Sequence, residues 1–271
     1  MNSNKEKNIL VYNAAYKYLE EMTPEGIDLE KYFKGDSRDY KSLKDIYIQI
    51  IKSAQNYRSM PNAIAFDKRK EKIAEILYDF DYYRIKDLTV EDLYYTFRKE
   101  FEVTSADTKW NSWYKWSHSV VDAAKFMVNF SDVKDFETFV GRFDYNVATR
   151  MALPLFIEAK ISGIGFALAC DLLKELGFTN YPKPDVHMIE VFSGIGLSDE
   201  EPDIVFAAIT RMANDVHTVD SSVTPYKVDK VFWLICSGRY YLEEPEEVRV
   251  KSKKQELIEH LKEVCKSIED K

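Results

Sequence analysis

The sequence predicts an all-α fold, and three observations support this prediction. Apolar residues recur at helical spacing over most of the 271 residues. Alternating strand patterns are scarce, and the one short candidate, residues 8–12, reads equally well as helix. Residues that favour helix starts and helix ends flank the apolar patterns. An apolar content of 45% with 14% aromatic residues is ordinary for a globular chain.

Capping residues define several of the predicted helices. Thr89, Ser198 and Thr224 each precede an apolar helical pattern, as N-cap residues do. Gly177 and Gly238 follow such patterns and predict helix ends. The predicted helices cover residues 40–55, 63–80, 90–101, 117–130, 145–160, 166–177, 199–216, 225–237 and 252–268, with linkers or ordered loops at 22–39 and 102–112.

Composition predicts an intracellular protein without a metal or cofactor. The three cysteines lie far apart and form no CxxC pair, which excludes a zinc ribbon and a four-cysteine iron–sulfur cluster and favours a reducing cytoplasm. No apolar run approaches the roughly 18 residues of a membrane span. The net charge of −8 counts against nucleic acid, but residues 141–185 carry equal numbers of acids and bases.

Residues 161–165, Ile-Ser-Gly-Ile-Gly, predict a tight turn between two helices. Gly163 and Gly165 supply conformational freedom and a bare backbone, and Ile164 can fill the groove between the helices. The first amides of the outgoing helix, as far as Ala167, lack partners within that helix and can bind a phosphate. The alternative is a plain helix–helix turn. The expected apolar faces are Phe156, Ile157 and Ile161 before the turn, and Ala169, Leu172 and Leu173 after it.

The tetrapeptide Ser-Gly-Ile-Gly occurs twice, at 162–165 and at 193–196. The second copy predicts a glycine that ends one helix, followed by a new N-cap at Ser198. A second functional turn is the alternative interpretation.

Asp185 follows Pro184 and precedes an apolar helical pattern, so we expect it at a helix N-terminus. The helix dipole and the unpaired amides there favour its ionised form. An ionised carboxylate suits the stabilisation of a developing cation, such as the oxocarbenium-like sugar formed when an N-glycosidic bond breaks. The alternative is a simple capping aspartate.

These residues resemble the helix-hairpin-helix superfamily of base-excision DNA glycosylases. The resemblance covers about 35 residues, from Ile161-Ser162-Gly163-Ile164-Gly165 to Pro184-Asp185-Val186-His187-Met188, and it extends loosely to residues 231–235. The segment DVHM at 185–188 is most similar to the 8-oxoguanine branch.

The resemblance implies a role for each matching residue. Asp185 would be the catalytic aspartate. Gly163, Ile164, Gly165 and the amide of Ala167 would contact a DNA phosphate, and His187 would contact the backbone near the flipped nucleotide. A histidine partly buried on a helix face is the alternative for His187.

The chain departs from the family pattern at the position of the lyase lysine. Bifunctional members carry a lysine two residues beyond the second glycine of the turn, where this chain has Ala167. Lys160 is a poor substitute because it would point away from the site. The resemblance therefore implies a monofunctional enzyme.

In the aromatic segment 110–116, Asn111, Trp113 and Trp116 are candidates to wedge the duplex or stack on a base, with core or loop packing as the alternative.

The family's architecture implies two helical subdomains with a cleft between them. Residues 1–105 would contribute to both subdomains, 106–182 would form the central subdomain ending in the hairpin (155–177), 183–243 would form the second, and 244–271 a charged C-terminal helix. We expect a cytoplasmic monomer that acts on double-stranded DNA containing a modified base and does not bind membranes. Two alternatives remain: a non-catalytic helix-hairpin-helix DNA-binding protein, and an interaction protein in which the turn has no DNA-related role.

Overall fold

In the computed structural model, the described residues are 2–35, 38–57 and 60–269. They form the predicted all-α fold, in which the only strands, β1 (Arg239–Tyr240) and β2 (Val248–Arg249), pair antiparallel. None of the helices in these ranges is both long and apolar enough to cross a lipid bilayer. The helices are α1 (Asn2–Met22), α2 (Glu30–Phe33), α3 (Leu43–Ala54), α4 (Met60–Ile64), α5 (Phe66–Ile76), α6 (Tyr82–Ile85), α7 (Val90–Glu100), α8 (Ser112–Met127), α9 (Val133–Phe143), α10 (Val147–Lys160), α11 (Phe166–Glu175), α12 (Val186–Gly194), α13 (Pro202–His217), α14 (Pro225–Ser237) and α15 (Lys254–Glu269), and a 3-10 turn covers Tyr78–Phe80.

The chain divides into two compact units. Unit 1 comprises residues 1–37 and 173–271, and unit 2 comprises residues 38–172. The division falls within α11, whereas the resemblance to the glycosylase family implies a boundary after residue 182. The first 105 residues are shared between the units, with the change from unit 1 to unit 2 after residue 37.

Unit 1 packs around α14, which contacts α1, α2, α12, α13 and α15. Its Phe232 is fully buried, with its ring centre 5.2 Å from that of Phe192. From α1, Val11, Ala15 and Leu19 enter this core at intervals of four residues, one face of a helix. The segment 8–12 is therefore helical and not a strand.

Unit 2 packs around α8, which contacts α3, α4, α6, α7 and α10. The buried ring of Trp116 on α8 contacts the buried rings of Phe97 on α7 and Phe66 on α5. The buried hydroxyl of Tyr47 donates to the carbonyl of Val120 over 3.1 Å, which satisfies a polar group inside this aromatic core.

Most of the capping predictions are confirmed. The hydroxyl of Thr89 accepts from the amide of Asp92 at 3.1 Å, and that of Thr224 accepts from the amide of Lys227 at 3.2 Å. Gly177 and Gly238 end their helices with φ of +80° and +65°, a conformation that glycine adopts at little cost.

The predicted N-cap at Ser198 is wrong. Helix α13 begins at Pro202, whose missing N–H and fixed φ suit the first helical position, and Glu201 precedes it. Ser198 belongs instead to the end of α12, because its amide and that of Leu197 both donate to the carbonyl of Phe192. Gly196 closes that end with φ of +71°, as the C-cap interpretation of the second Ser-Gly-Ile-Gly predicts.

The helix predicted over 63–80 is shorter at both ends. Ala65 is left-handed with φ of +48°, so α5 begins after it, and positive φ values at Tyr78 and Asp79 prevent its continuation. Helix α9, which Asp132 caps by accepting from the amide of Asp135, was not predicted. Phe156 was expected on a buried face but is exposed on α10.

Candidate functional site

The glycine turn lies in unit 2 between α10 and α11. Gly163 adopts φ of +83°, a left-handed conformation that side chains disfavour, whereas Gly165 has no positive φ. Ile164 is buried between the two glycines. The amide of Ile164 donates to the carbonyl of Ile161 at 3.2 Å, and the carbonyl of Gly165 accepts from Ala169 at 2.9 Å as α11 begins.

Helix α8 holds the turn through two polar side chains. The hydroxyl of Ser119 donates to the carbonyl of Ser162 at 2.6 Å, and the carboxylate of Asp122 accepts from the amide of Ser162 at 3.2 Å. A Cβ atom at Gly163 would lie 2.7 Å from the Ser119 hydroxyl, so the packing also requires glycine. The turn is therefore fixed against the central helix of unit 2.

A cavity of about 560 Å³ opens beside the turn, and we call it the hairpin cavity. Its wall carries the cationic side chains of Lys109 and Lys115 and the imidazole of His118. The ammonium of Lys115 lies 5.1 Å from the ring centre of Trp110 and 5.5 Å from that of Tyr57, close enough for a cation–π contact with each ring. The full lining is Tyr57, Met60, Lys109, Tyr114, Lys115, His118, Glu158, Ser162, Gly163, Ile164 and Gly165.

The polar residues of α8 form a stripe that the sequence analysis missed. Lys115, His118, Ser119 and Asp122 are spaced by three, one and three residues, which puts them on one helix face. The signal was available, because these polar residues interrupt an otherwise apolar pattern at helical spacing.

Asp185 lies in unit 1 and caps α12, as predicted. Its Oδ1 accepts from the amide of His187 at 2.9 Å and from that of Met188 at 3.1 Å. Within the part of the chain that the structure describes, its Oδ2 accepts no hydrogen bond. Capping therefore uses one oxygen of the carboxylate and leaves the other for a ligand or water.

The surroundings of Asp185 favour its protonated form, contrary to the prediction from its place at a helix N-terminus. Burial and the negative charge of Asp229 raise its pKa above the usual value for aspartate, and they outweigh the amide of Met188, which lowers it. The helix N-terminus was expected to favour ionisation. It does so, but the half-buried position and the second acid carry more weight.

The second acid, Asp229, is almost fully buried on α14. Its Oδ2 accepts from the ammonium of Lys174 at 3.0 Å and from the amide of Lys183 at 2.9 Å. We did not predict either partner of this ion pair from sequence. A charged residue inside the buried apolar face of a helix was the available signal at both positions.

His187 lies on the first turn of α12 and is half-buried. Its Nδ1 is buried and has no hydrogen-bond partner among the described residues. A buried polar atom without a partner is uncommon and costs free energy unless a ligand or water satisfies it.

The candidates for contact with a base fall into two groups. Trp113 and Trp116 are buried, and Nε1 of Trp116 donates to the carbonyl of Ile51 at 2.8 Å, so their rings are part of the unit 2 core. Asn111 caps α8 and uses its amide nitrogen on Ser105. These three side chains are therefore part of the core or of the helix cap and are not exposed to stack on a base. Trp110, by contrast, is 82% exposed.

The structure brings together some predicted site residues and assigns others to different units. Gly163, Ile164, Gly165 and the half-buried Ala167 belong to unit 2, at the junction of the turn with α11. Asp185 and His187 belong to unit 1, at the start of α12. In comparisons with known proteins, no family model, no curated protein and no solved structure matches this chain.

Proposed function

We propose that this protein is a monofunctional DNA glycosylase that hydrolyses the N-glycosidic bond of a modified base and leaves the strand intact. The observation that carries the proposal is the state of Asp185. Its Oδ2 accepts no hydrogen bond from the described residues, and its pKa is raised by burial and by Asp229. Acidic residues with perturbed pKa values concentrate at functional sites.

The chemistry assigns two tasks to this carboxylate. Its negative charge stabilises the oxocarbenium-like sugar as the C1′–N bond breaks and the bonding electron pair leaves with the base. A water oxygen then bonds to C1′, the proton of that water passes to Asp185, and the base takes a proton from solvent. A raised pKa makes the carboxylate a better proton acceptor near neutral pH.

The glycine turn supplies the DNA contact in this proposal. Gly163 and Gly165 allow a phosphate to approach the backbone, and the first amides of α11, including that of Ala167, favour an anion. Lys109 and Lys115 line the hairpin cavity together with one acid, Glu158, so the cavity wall is more basic than the chain as a whole, whose net charge is −8.

The chain offers no lyase amine at the expected position. Ala167 has no nucleophile, and the ammonium of Lys160 lies over the ring of Phe156 at 5.5 Å and does not line the hairpin cavity. We therefore propose hydrolysis by water alone, by a cytoplasmic monomer acting on double-stranded DNA.

The test uses duplex oligonucleotides that each carry one modified base. We expect release of free base, strand breakage only after alkali, and no covalent complex after borohydride treatment, because no Schiff base forms. Asp185→Asn is expected to abolish release. Breakage without alkali, a borohydride-trapped complex or full activity of Asp185→Asn would each contradict the proposal.

A matched control is available at another capping aspartate. Asp81 accepts from the amides of Tyr83 and Arg84 at the start of α6, as Asp185 does at the start of α12. Asp81→Asn makes the same chemical change at the same kind of position and should leave base release unchanged. An equal loss in both variants would indicate a capping effect and not catalysis.

A second candidate is a DNA-binding protein without catalysis. The observation that favours it is that every residue lining the hairpin cavity belongs to unit 2, so an anion could bind there without Asp185. In that case Gly165→Asp, at a position whose backbone accepts a side chain, abolishes DNA affinity while no substrate releases a base. The absence of any salt-dependent DNA binding would contradict both candidates and favour an interaction protein.

A further inference from the structure

A buried ion pair lies beside the segment that leads into Asp185. Asp229 is 2% exposed and Lys174 is 9% exposed, and their side chains are 3.0 Å apart. Removing two charges from water costs several kcal/mol per ion, so such a pair is weak evidence for a stabilising role alone. The burial of this pair is therefore better explained by the backbone group that Asp229 binds.

The carboxylate of Asp229 holds the backbone two residues before Asp185. Its Oδ2 accepts from the amide of Lys183, and the carbonyl of Lys183 accepts from the amide of Asp185 at 2.9 Å. Between these residues lies Pro184, which is buried and has a restricted φ. The position of Lys183 therefore determines where α12 begins and where its capping carboxylate lies.

We propose that Asp229 is a positioning residue for Asp185, fixing the segment that presents it and acting with its own negative charge on the Asp185 carboxylate. This inference rests on the proposed function, since it deepens the role of Asp185. Asp229 touches neither substrate nor reacting atoms in this scheme. It acts through Asp185, and Lys174 balances its charge.

The charges around Asp185 come from several elements of unit 1. On α12, His187 lowers the pKa of Asp185, and so does Lys183 before it, whereas Asp229 on α14 raises it. Cys236, also on α14, is a protonated thiol, because burial raises its pKa to about 12. On α15, Lys254 pairs with Glu190 of α12, so this cation is already neutralised.

Two substitutions should shift the titration of Asp185 in opposite directions. Asp229→Asn removes a negative charge and should move the titration midpoint of Asp185 to lower pH. Lys174→Gln leaves Asp229 without its cation and should move that midpoint to higher pH. Loss of folding cannot produce opposite shifts, so the pair of variants separates positioning from general damage.

The experiment follows the carboxyl carbon of Asp185 by NMR in the full chain, assigned by its loss in Asp185→Asn. Base release under single-turnover conditions is measured across the same pH range. For Asp229→Asn we expect the acid limb of the rate profile to shift to lower pH and the maximal rate to fall on the order of 10- to 100-fold. Asp220→Asn, an exposed aspartate of unit 1 that accepts from Ser222, is the control and should change neither quantity.

An unchanged Asp185 midpoint in Asp229→Asn would overturn the inference. If that variant does not fold, Lys174→Gln decides, and an unmoved midpoint there has the same meaning. If the wild-type protein releases no base from any substrate, the proposed function fails, but the NMR titration still measures the coupling between Asp229 and Asp185. The two failures are therefore distinguishable.

Discussion

The hydroxyl of Ser119 donates to the carbonyl of Ser162 over 2.6 Å and joins the central helix of unit 2 to the glycine turn. The same hydroxyl would lie 2.7 Å from a Cβ atom at Gly163. One side chain thus both holds the turn and excludes any larger residue from it. This arrangement allows the folding role of the turn to be separated from its binding role.

Gly163→Ala should lower the free energy of unfolding by about 2 kcal/mol, since a left-handed backbone costs a side-chain residue about 1–2 kcal/mol and Ser119 must also move. Urea denaturation of the full chain measures this loss. Gly196→Ala is the control, because Gly196 has φ of +71° but open space around it, and it should lose less. Equal losses would show that the contact with Ser119 does not contribute.

Gly165→Ala should leave stability within about 0.5 kcal/mol of wild type, because its φ is not positive and a Cβ atom would meet nothing closer than 3.7 Å. Its affinity for duplex DNA containing an abasic-site analogue should fall about tenfold, since the added methyl group obstructs a phosphate at the backbone. Fluorescence anisotropy measures the affinity. Unchanged binding would remove Gly165 from the proposed phosphate site.

Lys115→Ala should weaken DNA binding uniformly across sequences and reduce the slope of log affinity against log salt by about 1, as expected for one lost phosphate contact. A salt titration of binding gives the slope. Lys125→Ala, on the same helix but outside the lining of the hairpin cavity, should leave the slope unchanged. If both variants behave alike, the charge acts through the overall field of the protein and not at the turn.

Asp185→Asn should be at least as stable as wild type at neutral pH, because asparagine retains the cap and removes a charge held at a cost. The folded-state pKa of Asp185 is raised, which means that the folded protein favours the protonated carboxyl. This contribution to the free energy of unfolding is fully present below the unfolded pKa and is lost as pH rises through the folded pKa. The advantage of Asp185→Asn should therefore disappear on acidification. Asp185→Ala, which loses the cap, should be about 1 kcal/mol less stable than Asp185→Asn. Denaturation at several pH values tests both statements, and a deficit of Asp185→Asn at pH 7 that vanishes in acid would contradict the direction of the shift.

Trp110 and Trp116 should respond differently to replacement by phenylalanine. Trp116→Phe leaves the buried carbonyl of Ile51 without its donor and should cost about 1–3 kcal/mol, whereas Trp110→Phe should be neutral. If a base stacks at this segment, DNA should quench fluorescence through the exposed Trp110, and Trp110→Phe should lose the quenching. Trp233→Phe, a change at a partly buried tryptophan of α14 in unit 1, serves as the control and should retain the quenching.

The local parts of this structure were predictable from sequence, because they depend on nearby residues. Thr89 and Thr224 cap the helices that follow them, and Asp185 caps α12, since each bond spans only two or three residues. Ser198 failed for a local reason as well, because Pro202 offered a better helix start than the serine did.

The environment of the candidate site was not predictable, because it depends on residues far apart in the chain. Asp229 lies 44 positions after Asp185, yet burial and the charge of Asp229 together outweigh the adjacent amide of Met188 and raise the pKa of Asp185. The burial of Trp113 and Trp116 was not predictable either, since an aromatic pattern alone does not distinguish a core ring from an exposed one.

The two copies of Ser-Gly-Ile-Gly adopt different conformations. The left-handed residue is the first glycine in one copy (Gly163) and the second glycine in the other (Gly196). Selection for folding alone would retain Gly163 and Gly196 and leave Gly165 free to drift. Conservation of Gly165 among homologues would therefore indicate a bound ligand, because the fold of the chain does not require glycine at this position.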